Sequence, residues 1–158
     1  MPTLYMLCGV PYSGKSTWTK KKLYEENNRY TLIVLSTDDI ISNICRDHET
    51  TYDESFKLLF DYANLVMNKD VAFAIKHGCD MIWDQTNLTV GSRAKKLVRI
   101  PKDYRKVAIN FSIPDYEELK HRVESRQDKI IPWSVMEEMF SQYVPATLEE
   151  GFDEVISL

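Results

Sequence analysis

Residues 9–16 of the chain read GVPYSGKS. This octapeptide fits the pattern G-x-x-x-x-G-K-[ST] with every fixed position filled. An apolar run at residues 3–8 precedes it, and a segment able to form a helix follows it. Glycines let the backbone bend so that successive N–H groups point at one anion, and the following helix presents its positive end to the same place. The octapeptide therefore predicts a phosphate-binding loop between a strand and a helix.

The residues of this loop predict how it would bind ATP and Mg²⁺. Lys15 can reach the β- and γ-phosphates, and the hydroxyl of Ser16 can ligate Mg²⁺. The full set that we predict to contact the nucleotide from this loop is Gly9, Tyr12, Ser13, Gly14, Lys15, Ser16 and Thr17.

Outward from the loop, short apolar runs alternate with amphipathic segments. The predicted strands are residues 3–8, 31–35, 80–83 and 107–111, with a weak fifth near 155–158. The predicted helices are residues 15–26, 38–45, a long helix from a capping box at Thr51 and Glu54 to Gly78, residues 90–100, and two that begin at Pro114 and Pro132. This alternation predicts an α/β three-layer sandwich, with a four- or five-stranded parallel sheet and helices on both faces. We expect one domain over residues 1–158.

The composition excludes several classes of protein. The 158 residues are 44% hydrophobic and 28% charged, which is typical of a soluble globular domain. We expect no secretory signal and no membrane span. The three cysteines form no CxxC pair, which favours reduced thiols in a cytoplasm. A net charge of −4 argues against broad, sequence-independent coating of nucleic acid.

Two acidic residues follow the second predicted strand, where ligands bind in parallel sheets. Asp38 or Asp39 could accept the proton of an attacking hydroxyl, or orient that hydroxyl, beside a γ-phosphate. Ser, Thr and Asp are also favoured helix N-caps, so a capping role is the alternative. We take Asp38 as the candidate base and Asp39 as a candidate substrate contact.

The third predicted strand also ends in polar residues. Asp84 could hold Mg²⁺ through water, or it could be a simple turn residue. Thr86 and Asn87 could contact an acceptor or tie down the loop.

Two arginines four residues apart would share one face of the helix that begins at Pro114. Arg122 and Arg126 could close over the phosphates as a lid and neutralise charge in the transition state. The alternative is a solvated face on which they pair with Glu118 or Glu124.

A basic stretch covers residues 93–106, with seven Lys or Arg residues against one Asp. It could dock a phosphate backbone, with Arg93 as a candidate substrate contact, or it could be a solvated helix face.

Four of these features together resemble the kinase domain of the bacteriophage polynucleotide kinase family. They are residues 9–18 (GVPYSGKSTW), the pair Asp38 and Asp39, residues 84–88 (DQTNL), and the pair Arg122 and Arg126. Residues 143–155 (YVPATLEEGFDEV) are similar to the wider group of small P-loop kinases.

The resemblance implies a P-loop kinase fold with a helical lid and an ATP-dependent phosphotransferase acting on a hydroxyl, with a nucleic-acid end as a candidate partner. It implies Asp38 as the general base, Lys15 and Arg126 on the transferring phosphoryl group, Ser16 on Mg²⁺, and Arg122 near the nucleotide. It is compatible with the cytoplasm of a bacterial or phage-infected cell.

This chain departs from the family pattern on the acceptor side. Ile41 occupies the position of the family's acceptor-binding arginine, and Gln85 that of the carboxylate that steadies this arginine, while Asp84 lies one residue earlier. The ATP half of the site is complete. The acceptor therefore stays open between a nucleic-acid hydroxyl and a smaller one, and the alternative function is a nucleotide-binding module or slow ATPase without kinase activity.

Overall fold

The structure, a computed structural model, describes residues 1–26, 31–48, 52–125 and 131–158, with no side-chain description for 52–55. The strands of this part are β1 (Thr3–Cys8), β2 (Leu32–Leu35), β3 (Asp80–Trp83), β4 (Arg105–Asn110) and β5 (Glu154–Ser157). The helices are α1 (Lys15–Glu25), α2 (Thr37–Asp47), α3 (Tyr52–His77), α4 (Val90–Leu97), α5 (Tyr116–Ser125) and α6 (Trp133–Gln142), with a 3₁₀ turn at Leu148–Glu150.

The five described strands form one parallel sheet in the order β2-β3-β1-β4-β5. The predicted α/β fold with a parallel sheet is confirmed, and the sheet has five strands. β1 lies in the centre because it is apolar on both faces. Leu4, Met6 and Cys8 pack into one core cluster, and Leu7 packs into another on the opposite face. Parallel pairing brings the carboxyl ends of the strands to one edge of the sheet.

The element boundaries differ from the predicted ones where capping decides them. α5 begins after Asp115, whose carboxylate accepts a hydrogen bond from the Glu118 N–H at 2.9 Å, so Pro114 lies before the cap. α4 ends at Leu97 instead of continuing to Ile100. α3 ends at Gly78 as predicted, with a left-handed φ of 63°. The capping box at Thr51 and Glu54 lies outside the residues whose side chains are described.

Within the described residues, no helix is both long and apolar enough to cross a lipid bilayer.

Candidate active site at the phosphate loop

The phosphate loop connects β1 to α1 and has the backbone that its glycines predict. Gly14 has a φ of 105°, a conformation that residues with a side chain rarely adopt. A Cβ atom on Gly9 would lie 2.8 Å from the Cβ of Phe111 and 2.8 Å from Ser13 Oγ. The Gly9 N–H donates to the Thr86 carbonyl at 2.9 Å, which anchors the loop to the segment after β3.

The loop contains a buried polar atom that suits a phosphate ligand. Ser13 Oγ is buried, and no hydrogen-bond partner for it exists among the described residues. A buried hydroxyl without a partner is costly, so its presence indicates that a ligand completes it. The residues of the loop therefore fit a nucleotide phosphate.

The side chain of Lys15 is held inside the loop. It is buried, and its ammonium donates to the carbonyl oxygens of Gly9 at 2.9 Å and Val10 at 2.6 Å. A cation in this position supplies the charge that a polyphosphate needs. Ser16 and Thr17 lie exposed in the first turn of α1.

Asp84 faces the phosphate loop from the end of β3. Its carboxylate accepts a hydrogen bond from Thr19 Oγ1 at 3.0 Å. Burial is the main cause that raises the pKa of Asp84; the Thr19 hydrogen bond and the charge of Lys15 oppose this rise. The negative charges of Asp39 and Asp38 add to it. Three carboxylates and one ammonium thus influence one another at this edge of the sheet.

These groups fit a magnesium ion that is bound mainly by phosphate oxygens and water, as Mg²⁺ usually is. Ser16 and Asp84 are the residues that would hold it. In the described part of the chain, no group of three or more His, Cys, Asp or Glu side chains could hold a metal ion without a ligand's help.

At the N-terminus of α2, the capping residue and the candidate base are different residues. Ser36 is the N-cap, and its Oγ accepts a hydrogen bond from the Asp39 N–H at 3.1 Å. Asp38 and Asp39 are exposed in the first turn of the helix. Ser36, and not Asp38, therefore caps this helix.

Asn87 anchors the loop after β3, and its side chain is buried inside the protein. It is buried with a φ of 46°, and its amide donates to the carbonyl oxygens of Leu7 at 2.6 Å and Gln85 at 3.1 Å. The prediction that Asn87 contacts a substrate is wrong, because its amide group forms hydrogen bonds inside the protein. Thr86 is half-buried beside it.

Arg93 is also an internal residue. Its side chain is 0% exposed and forms a two-point ion pair with Glu150, with both distances at 2.7 Å. Nη1 donates to the carbonyl oxygens of Asn87 at 2.9 Å and Val144 at 2.8 Å. The prediction that Arg93 contacts a substrate is therefore wrong for this fold, since its donors are directed to buried acceptors.

Arg122 lies over the phosphate loop. Its Nη1 donates to the Tyr12 carbonyl at 2.7 Å, and its Nε pairs with Glu118 at 2.6 Å. The predicted pair with Glu118 is present, and the same side chain also contacts the phosphate loop, while the lid role over the phosphates stays a prediction. Arg126 lies outside the described residues.

Three residues of this edge had little or no sequence signal. Thr19 follows Ser16 by three positions, a helical spacing that could have indicated its contact with Asp84. Glu150 is one acidic residue among many. Lys96 was one of seven basic residues, and only the structure brings its ammonium to Gln85 at 2.7 Å and to Asn87.

Solved structures with the same fold include several kinases. A chain of the Pnkp1/Rnl/Hen1 RNA repair complex is 23% identical with a TM-score of 0.62, over 89% of this chain and 43% of that one. A fungal RNA kinase is 16% identical with a TM-score of 0.60, over 99% of this chain and 73% of the other. A gluconokinase from Sinorhizobium meliloti 1021 is 16% identical with a TM-score of 0.56, over 99% and 82%. This chain thus spans less than half the length of the RNA repair chain.

A family of known proteins matches most of the chain. Its description is "AAA domain", and it matches residues 4–145, which include the phosphate loop, the carboxylates at the sheet edge and the helices α5 and α6. With its five-stranded parallel sheet and its phosphate loop, the chain belongs to the AAA domain family and has a P-loop kinase fold.

Proposed function

We propose that this protein is an ATP-dependent kinase that transfers the γ-phosphate of ATP to a hydroxyl on a nucleic acid or nucleotide-like acceptor. The observation that carries the proposal is the convergence of Lys15, Asp84 and the pair of carboxylates at the start of α2 on one edge of the sheet. The fold and the kinases that share it support phosphotransfer in general.

Each group has a role that its position allows. The phosphate loop and Lys15 would bind the β- and γ-phosphates of ATP, and Ser16 and Asp84 would hold Mg²⁺, which supplies positive charge to the transferring group. Asp38 is exposed and is not needed as a cap, so its carboxylate can accept the proton of an acceptor hydroxyl. Arg122 and Arg126 would bring positive charge from the lid.

Ile41, at the position of the family's acceptor-binding arginine, cannot supply an acceptor contact. Its side chain is 0% exposed and packs with Cys45 and Ala63 in a core cluster between α2 and α3. Any acceptor contact must therefore come from other residues at this edge. RNA kinase and gluconokinase share the fold, so the fold itself accommodates both a polymer and a small acceptor.

Transfer from γ-labelled ATP tests the proposal directly. The acceptors are 5′-hydroxyl DNA, 5′-hydroxyl RNA, tRNA, nucleosides and, as a small sugar acid, gluconate. We expect label on at least one nucleic-acid or nucleotide-like acceptor, and transfer slower by about 10²-fold or more with the Asp38→Asn variant. Release of labelled phosphate with no labelled acceptor would instead support a slow ATPase, and nucleotide binding without turnover would support a binding module.

A further inference from the structure

A cavity of about 500 Å³ opens between α3 and α4 at the carboxyl end of β3. We call it the α3–α4 pocket. It shares no lining residue with the phosphate loop at residues 9–17, so it is a separate place from the predicted nucleotide site. α3 contributes Asn64, Met67 and Asn68, and the remaining lining residues come from the end of β3, from α4 and from the segments that flank α4.

The pocket is positively charged. Lys95, Lys96 and Arg99 line it, and none of the described residues that line it is acidic. Lys96 Nζ lies 5.3 Å from the centre of the Trp83 ring, and the Arg99 guanidinium carbon lies 5.8 Å from it. Both cations therefore lie within cation–π distance of the Trp83 ring.

Two arginines of the same stretch are instead paired with carboxylates. Arg93 pairs with Glu150, and Arg105 pairs with Glu154. Three cations gathered without a described carboxylate repel one another, and an anionic ligand would relieve that repulsion. Three cations that line one cavity without an acidic residue therefore indicate an anion-binding site.

Hydrogen bonds connect this pocket to the residues beside the predicted base. Lys96 Nζ donates to Gln85 Oε1 at 2.7 Å, and Gln85 Nε2 donates to Thr37 Oγ1 at 3.2 Å. Thr37 directly precedes Asp38 in the chain. The pocket thus lies on the acceptor side of the sheet edge, within a short chain of contacts from the group that would take the hydroxyl proton.

We propose that the α3–α4 pocket binds a phosphate group carried by the acceptor, with Lys96 as a specificity-determining residue; this rests on the proposed kinase function. Phosphate fits better than a single carboxylate because a tetrahedral anion can take hydrogen bonds from several cations at once. The volume leaves room for the part of the acceptor that links this phosphate to the reacting hydroxyl.

The charge of Lys96 adds a pH signature. Burial lowers the pKa of Lys96 to about 8. Lys95 on α4 and Arg99, just after α4, are the other cations that line the pocket. Burial raises the pKa of Cys8 on β1 to about 12, so that thiol stays neutral. Phosphate binding should therefore weaken as the pH rises through 8, because Lys96 loses its proton while Arg99 keeps its charge.

Inorganic phosphate is the first probe, in calorimetric titrations at constant ionic strength set with sodium chloride. A saturating non-hydrolysable ATP analogue with Mg²⁺ keeps phosphate out of the loop at residues 9–16. We expect one phosphate to bind the wild type, with at least about tenfold weaker binding in Lys96→Met. The double variant Lys95→Gln/Arg99→Gln changes only exposed side chains, so it keeps the test valid if Lys96→Met fails to fold.

Lys102→Gln is the matched control, since Lys102 is an exposed lysine of the same stretch that does not line the pocket. A second arm compares kcat/KM for a nucleoside with that for the same nucleoside carrying one phosphate, and the pocket variants should lose the preference for the latter. Absent binding to the folded wild type, unchanged binding in the pocket variants, or an equal loss in Lys102→Gln would each overturn the proposal. If phosphate binds as expected but no acceptor is labelled, the pocket stands and the kinase function fails.

Discussion

At the scale of a single residue, the Lys15 ammonium donates to two carbonyl oxygens of the phosphate loop, and we expect the same charge to contact phosphate. We expect Lys15→Ala to weaken ATP binding and to lower turnover by about 10²-fold or more, since it removes a charge that acts on the transferring group. Equilibrium titration with ATP and steady-state kinetics measure these effects. A folded variant with unchanged affinity and turnover would show that residues 9–16 are not a nucleotide site.

Asp38 is the residue that separates a kinase from a binding module. We expect Asp38→Asn to bind ATP almost as the wild type does, while transfer to the acceptor falls by about 10²-fold or more, because only the proton acceptor is removed. Ser36 caps α2, so a loss of helix stability is not expected. Asp47→Asn, an exposed aspartate at the other end of α2, is the matched control.

The pattern of losses distinguishes the roles of Asp38. A magnesium role would lower nucleotide affinity together with turnover and shift the dependence on Mg²⁺. Undiminished phosphoryl transfer in Asp38→Asn would show that Asp38 is not the general base.

At the scale of elements, α5 and the phosphate loop are joined through Arg122 and the Tyr12 carbonyl. We expect Arg122→Ala to reduce kcat/KM for ATP by about tenfold or more with little change in Tm, because the side chain lies at the surface of the lid. Glu118→Gln removes only the ion pair within α5 and should leave ATP kinetics nearly unchanged. A large fall in Tm with normal kinetics would mark Arg122 as a structural residue.

The elements also show where sequence patterns are strong and where they are weak. β1 is apolar at every core position and stands beside the glycine motif, so its bounds follow from the sequence. β5 pairs only with β4 and is partly exposed, so an edge strand of four residues leaves a weak apolar signal. The start of α5 depends on the Asp115 side chain rather than on Pro114, a choice that local propensity does not make.

For the whole molecule, the buried pair of Arg93 and Glu150 joins α4 to the segment that leads into β5. We expect Arg93→Met to lower the free energy of unfolding by about 3–5 kcal/mol, since it leaves the Glu150 carboxylate buried without its partner. Chemical denaturation measures this change. Arg105→Met breaks the exposed pair with Glu154 and should cost at most about 1 kcal/mol. Similar losses in both variants would contradict the buried role of Arg93.

Three features could be predicted from the amino-acid sequence: the phosphate loop, the alternation that builds a parallel sheet, and the polar residues at the ends of β2 and β3. These are local patterns, because backbone conformation and burial on two faces depend on neighbouring residues. Three others became known from the folded structure: Arg93 and Asn87 are internal, Ser36 rather than Asp38 is the cap, and Lys96 lies beside Gln85. These contacts depend on partners that are distant in the sequence, or on which of several similar polar residues forms the hydrogen bond. The charge and polarity of a side chain do not predict whether it points into the protein or towards solvent.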